Sequence, residues 1–108
     1  MKYALIAVVV LLSWGQPAVA FDFSTAGVGN DSCGTWTKES RQGGAIHWQN
    51  EQWVAGYVTA SSVQLRRDLI SGTDFDGLMG WIDKYCRNNP TSSLMNASWW
   101  LVDFLKKR

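Results

Sequence analysis

The chain is poor in the residues that most often carry chemistry. Among 108 residues there are one histidine, His47, and two cysteines, Cys33 and Cys86. A structural zinc site takes four Cys or His ligands, so these three cannot complete one, and neither a metal nor a cofactor is expected. The cysteines are too far apart for the C-x-x-C spacing of a redox pair. No phosphate-cradling glycine pattern and no G-x-S-x-G turn is present. Ser61 or Ser62 with His47 and Asp68 would supply the residue types of a hydrolytic triad, but no local motif supports that constellation. The sequence therefore reads as a protein that is not an enzyme.

Long hydrophobic runs are also scarce. There is one, Ala4 to Trp14 ("ALIAVVVLLSW"), preceded by Met1-Lys2-Tyr3 and followed by "GQPAVA". The run is about half the ~20 apolar residues of a membrane-spanning helix. Its basic start, its length and the closing Ala18-Val19-Ala20 are those of a secretory signal. Residues 1–20 are expected to be cleaved, leaving Phe21 first and no membrane anchor. The remaining chain is sized for one domain. It carries nine Lys/Arg and nine Asp/Glu. That balance argues against nucleic acid or an anionic membrane as a partner held by bulk charge.

After an export signal, two cysteines read as a disulfide. A Cys33–Cys86 bond closes a loop of about 54 residues, which is worth roughly 4 kcal/mol in the chain-entropy treatment. A core this small is helped by such a staple.

No strand-like alternation and no internal repeat occurs. Residues 21–31 ("FDFSTAGVGND", with Asp31 last) read as an extended or mobile lead-in, and residues 32–108 as the domain. Ser32 is placed to cap a short helix carrying Cys33 and Trp36, which Gly43-Gly44 interrupts. A helix follows from about Ile46 to Ser61, with Ile46, Trp53, Val54, Tyr57, Ala60 and Ser61 on one side. Gly56, inside it, suggests a close helix crossing. Residues 62–72 fit neither period and read as a connector. Thr73 or Asp74 then caps a helix with the stripe Phe75, Leu78, Trp81, Ile82, Tyr85 and Cys86, flanked by Met79 and stopped by Pro90. The last helix begins near Thr91 to Ser93 and packs through Leu94, Ala97, Ser98, Leu101 and Leu105. Lys106, Lys107 and Arg108 suit its C-terminal dipole. The expected fold is all-α: a small disulfide-stapled bundle of three main helices plus one short helix.

Tryptophan is what the sequence has in excess, with seven in all. Trp36, Trp53 and Trp81 fall with the stripes or near the disulfide and are assigned to the core. Trp99 and Trp100 are neighbours in "NASWWLVDFL", and neighbours on a helix point about 100° apart. Trp100 falls near Phe104, on the shoulder of the packed face. Trp99 falls roughly 140° from that face, among polar residues. Trp48 is similarly displaced. Exposed aromatics are favoured protein contacts, so Trp99, Trp48 and Trp100 are the candidate partner-binding residues, at a partner or a homodimer face. Alternatively, Trp99 lies beneath the protein's own lead-in.

"SCGTW" (32–36), "WVAGYVTA" (53–60), "GTDFDGLMGWIDKYCRNNP" (72–90) and an alanine-bearing last helix occur here in that order. The arrangement resembles the Rap/Tai-type immunity proteins, exported helical proteins of Gram-negative bacteria that guard the periplasm against type VI secretion amidase effectors. The small HdeA/HdeB-type acid chaperones are similar in size, helix content and single disulfide. The resemblance spans roughly Ser32 to Leu105. It departs from the immunity proteins in lacking the second cysteine pair that many of them carry. It implies a periplasmic (or secreted) protein that occludes a protein partner such as a cell-wall amidase. The chaperone likeness instead implies acid-sensitive carboxylates, for which Asp76, Asp83 and Asp103 are the candidates. An envelope protein of structural role is the remaining alternative.

Overall fold

The computed structural model describes residues 23–108. The signal reading of residues 1–20 and the start of the lead-in lie outside the described residues. A 3-10 turn, Gly27–Asn30, precedes four helices: α1 (Cys33–Gln42), α2 (Gly44–Leu65), α3 (Phe75–Asn88) and α4 (Leu94–Lys106). Among the described residues there is no strand, only a single bridge between Ser32 and Ser93. The protein is an all-α bundle in which α2, α3 and α4 are the long helices and α1 the short one.

Three of the four helices begin on the capping residues legible in the sequence. Ser32 Oγ accepts from Thr35 N at 3.1 Å, Asp74 Oδ1 from Gly77 N at 2.8 Å, and Ser93 Oγ from Asn96 N at 3.0 Å. Each satisfies one of the N–H groups that a helix start leaves without an intrahelical partner. Two of these starts also satisfy each other. Cys33 N donates to Ser92 O (2.7 Å) and Leu94 N donates to Asp31 O (2.9 Å), so the beginnings of α1 and α4 are sewn together through their cap residues. Gly34 N adds a bond to Pro90 O at 2.9 Å. Between α1 and α2 the chain reverses through Gly43 and Gly44, with φ of 65° and 83°. That left-handed geometry is cheap only for glycine.

Cys33 and Cys86 form a disulfide, with their Cα atoms 4.6 Å apart. It joins the first residue of α1 to the last turn of α3. One helical turn further along, Trp36 is buried (1% exposed) and its indole N–H donates to Asp83 Oδ1 at 2.7 Å. Around these ties pack Val54 and Val58 of α2, Leu78 and Ile82 of α3, and Leu94, Ala97, Leu101 and Leu105 of α4. Ser98 is also buried in α4 and returns its hydroxyl to Leu94 O at 2.9 Å. The inner faces of α3 and α4 are those read from the apolar spacing.

α2 differs from its expected form. It is longer at both ends, and its inner face is rotated. Asn50, Val54 and Val58 are buried, while Ile46 and Ala60 are exposed. The cause is polar. The Asn50 side chain donates to Glu39 Oε2 of α1, and the His47 ring meets Trp36 edge-on at 5.4 Å. Polar and aromatic docking onto α1 therefore sets the rotation of α2, and apolar periodicity does not register it. Gly56 faces open space, so no close crossing explains it. The connector after α2 is ordered around a buried Leu69. Its N–H donates to Ser62 Oγ (3.2 Å), and Asp68 Oδ1 accepts from Ile70 N and Ser71 N (3.0 and 3.1 Å). Arg67, in the same connector, donates to Lys106 O and Arg108 O at 2.5 and 2.7 Å. The carbonyl of the last α4 residue and that of the chain's last residue are thus bonded from outside the helix.

The lead-in has a definite seat. Trp53 Nε1 donates to Ala26 O at 2.9 Å, and the 3-10 turn lies on the indole so closely that a Cβ built on Gly29 would come within 2.4 Å of the ring. Tyr57 stacks on the other part of this surface, 5.7 Å from Trp53, and burial raises its phenol above the ordinary 10.0.

Two outcomes follow. Replacing Cys33 and Cys86 by serine, or reducing the bond, lowers unfolding stability by about 2–5 kcal/mol, read from urea denaturation. Gly29→Ala forces the turn off Trp53 and costs about 1–3 kcal/mol, with limited proteolysis shifting to residues 23–31. A protease-resistant Gly29→Ala variant of unchanged stability would contradict this seat.

Candidate functional site

Packing of Leu94, Ala97, Ser98, Leu101 and Leu105 inward leaves Trp99 and Trp100 on the outer side of α4. They are 50% and 47% exposed. Their rings meet edge to face, with centroids 4.8 Å apart and planes at 90°. That arrangement matches the aromatic quadrupole and holds each ring in place. The two are about equally exposed, so Trp100 is not a shoulder of the core. The turn at residues 27–30 is seated on Trp53, and Trp99 is half exposed.

Trp100 and Phe104 are four residues apart and so are neighbours on the helix surface. Phe104 lies against Trp81 of α3 (5.9 Å), and Trp81 stacks on Tyr85 (5.5 Å, planes at 11°). The Arg108 guanidinium lies over Phe104 at 6.0 Å. Trp81, Tyr85 and Phe104 line a groove of about 360 Å³ with Lys84, Asn88 and Asn89 at its polar side. Trp99 and Trp100 thus stand about one helical turn before Phe104, from which aromatic contacts cross from α4 onto α3, and this row is the aromatic ridge. Both helices are fixed by a packed core, so the ridge is rigid and presents large, stiff rings to solvent. The physical capacity of such a surface is to bury apolar area against another molecule.

Trp48 is 57% exposed but is not joined to this ridge. Its ring contact is with Phe75, at 6.1 Å, where the start of α3 meets α2. The structure brings Trp99 and Trp100 together and leaves Trp48 on a separate patch. Sequence reading placed Trp100 near Phe104 but missed the continuation from Phe104 onto Trp81 and Tyr85. Their spacing places Trp81 and Tyr85 in the core stripe, and the structure packs both against the core at its partly buried edge.

The residue types of a hydrolytic triad serve local structure here. Ser61 Oγ donates to Tyr57 O, Ser62 and Asp68 receive the connector N–H groups, and His47 Nε2 faces Glu51 at 3.5 Å. Asp103 pairs with Lys107 at 2.8 Å. Asp83 is occupied by the Trp36 indole, and Asp76 stands exposed in the first turn of α3. Among the described residues no three His, Cys, Asp or Glu side chains converge as a metal site, and no helix is long and apolar enough to cross a membrane.

Fold and surface together define a class: a disulfide-stapled helical bundle carrying an outward aromatic ridge. Comparison of the chain with protein-family models, with curated proteins and with solved structures finds no match in any of the three.

The exposure of Trp99 sets its energetic weight. Trp99→Ala costs at most about 1–1.5 kcal/mol of stability, the scale of one aromatic pair. Trp36→Ala costs about 3–5 kcal/mol, because it empties core volume. Urea denaturation of the two variants checks the contrast, and equal losses would show that Trp99 is a core residue.

Proposed function

We propose that this protein is an exported, periplasmic binding protein that acts by covering a protein partner, as immunity proteins cover cell-wall amidase effectors. The observation that carries the reading is the half-exposed Trp99–Trp100 pair, locked edge to face on a helix whose opposite side is fully packed. Rigid tryptophans lose little conformational freedom on binding, and they are the residue type most enriched among binding hot spots. The ridge supplies a row of such rings: Trp99, Trp100, Phe104 and Trp81. The disulfide supports the export part of the reading, since such bonds persist in oxidising compartments. The sequence resemblance to the immunity proteins supports the choice of a hydrolase as partner.

The test is affinity capture with the oxidised protein from periplasm exposed to a competitor strain that delivers wall hydrolases. The expected result is one hydrolase retained in stoichiometric amount, with its activity blocked. Trp99→Ala and Trp100→Ala each weaken that complex by more than tenfold while the protein stays folded. Capture of a hydrolase with undiminished affinity by the double variant would remove the ridge from the reading. Failure to retain any hydrolase, combined with suppression of client aggregation only in acid, would establish the chaperone reading instead.

A further inference from the structure

A second surface lies on the opposite flank of α3, and its chemistry is electrostatic. α1 and α3 run antiparallel, held by the disulfide and the Trp36–Asp83 bond, and between them is a groove of about 610 Å³. Lys38, Arg41 and Arg87 line it, together with Gly34, Cys86 and Pro90. A smaller recess of about 130 Å³ adjoins it, shared by Arg41 and Arg87. All three cations are exposed, and none of them has an ion-pair partner. The ion pairs among the described residues are His47–Glu51 and Lys107–Asp103, both elsewhere. Of the acids of α1 and α3, Asp83 borders Arg41 and Arg87 in the smaller recess, and its single charge leaves the three cations in excess. Glu39 accepts from Asn50 on the far side of α1, and Asp83 accepts from the Trp36 indole.

Helix dipoles account for part of this. Arg41 and Arg87 each lie in a last turn, where a cation is favoured. They do not account for Lys38, in the middle of α1. Nor do they account for the convergence of both arginines. Because the helices are antiparallel, the end of α1 lies away from the end of α3, yet both side chains line the same groove. The backbone arrangement keeps that groove open. Gly34, where α1 faces the 90–92 loop, has no side chain to fill it, and Gly34 N is already bonded to Pro90 O.

We infer that the α1–α3 groove is an anion site for the carboxylates of an acidic peptide segment, such as a loop of a protein partner. Two guanidinium groups and an ammonium facing one cleft suit side-chain carboxylates, which an arginine fork binds in two-point fashion. A nucleic acid or an anionic membrane needs a longer basic track than these three residues provide, on a chain otherwise balanced in charge. The Asp83 carboxylate in the adjoining recess also opposes a dense anion such as a phosphate dianion more than a single carboxylate. The inference extends the protein-binding reading to a second face and rests on that reading for its partner class. Its test does not involve the partner, so the two fail separately.

The test is an NMR titration of the oxidised full chain with a capped peptide alternating glutamate and glycine. The controls are the glutamine–glycine peptide of equal length and inorganic phosphate. The expected result is saturable movement of the Arg41 and Arg87 side-chain Nε–H signals and of the Gly34 amide with the glutamate peptide alone, weakening as salt is raised. The Arg41→Gln/Arg87→Gln double variant binds at least tenfold more weakly at unchanged melting temperature, and Lys38→Gln alone gives a smaller loss. Equal response to the glutamine peptide, tighter binding of phosphate, or movement confined to Arg66, Arg67 and the C-terminal basic residues would overturn it. The unmodified protein's shift map reads the site even if a variant fails to fold.

Discussion

The attachment of α1 to the end of α3 organises this protein. α1 is only 10 residues long, too short to be stable alone in water. It persists because its first residue is covalently bound to Cys86, its first two N–H groups are taken by the 90–92 loop, and its one large apolar side chain, Trp36, is buried and hydrogen-bonded to Asp83. Everything downstream refers to α1. The rotation of α2 is set by contacts to Glu39 and Trp36, and the start of α4 is fixed through the reciprocal bonds at Ser32 and Ser93. The same attachment forms the walls of the basic groove. Reduction would therefore release more than one loop: it would loosen the reference against which three helices are placed.

That dependence explains which parts of the structure were legible in the sequence. The caps at Ser32, Asp74 and Ser93 act within three residues of themselves, so local chemistry suffices to read them. The inner faces of α3 and α4 are set by apolar burial alone, and period 3.6 reports that directly. The inner face of α2 is set by a buried amide and an imidazole docking on another helix. An apolar count treats Asn50 and His47 as outward-facing and so turns the helix by about one position. The end of α2 was hidden for a similar reason. The chain leaves the helix at Arg66 with φ of 52°, and the usual glycine signal is absent.

The candidate surfaces divide along the same line. Exposure of Trp99 and Trp48 follows from helical geometry and was readable. The link from Trp100 through Phe104 to Trp81 and Tyr85 requires knowing that α3 and α4 are adjacent and antiparallel. The convergence of Lys38, Arg41 and Arg87 requires knowing that α1 lies against α3. Sequence separation hides both, 23 residues between Trp81 and Phe104 and 46 between Arg41 and Arg87, because no local period connects them. A formally balanced charge conceals the second further: the whole-chain sum cancels, while one groove holds three cations.

The two surfaces flank α3, with the aromatic ridge toward α4 and the basic groove toward α1. Their different physics suits different parts of recognition. Charges facing an open groove act at a distance and mainly accelerate and orient encounter. Buried aromatic area acts at contact range and mainly slows dissociation. A partner presenting an acidic segment beside an apolar patch could engage both sides of one rigid helix at once, with no rearrangement of the bundle. Because the core and the disulfide fix the spacing between ridge and groove, specificity on such a surface would come from that spacing as much as from any single residue. Substitutions that leave all the contact residues intact but loosen the Cys33–Cys86 attachment should therefore weaken recognition of such a partner.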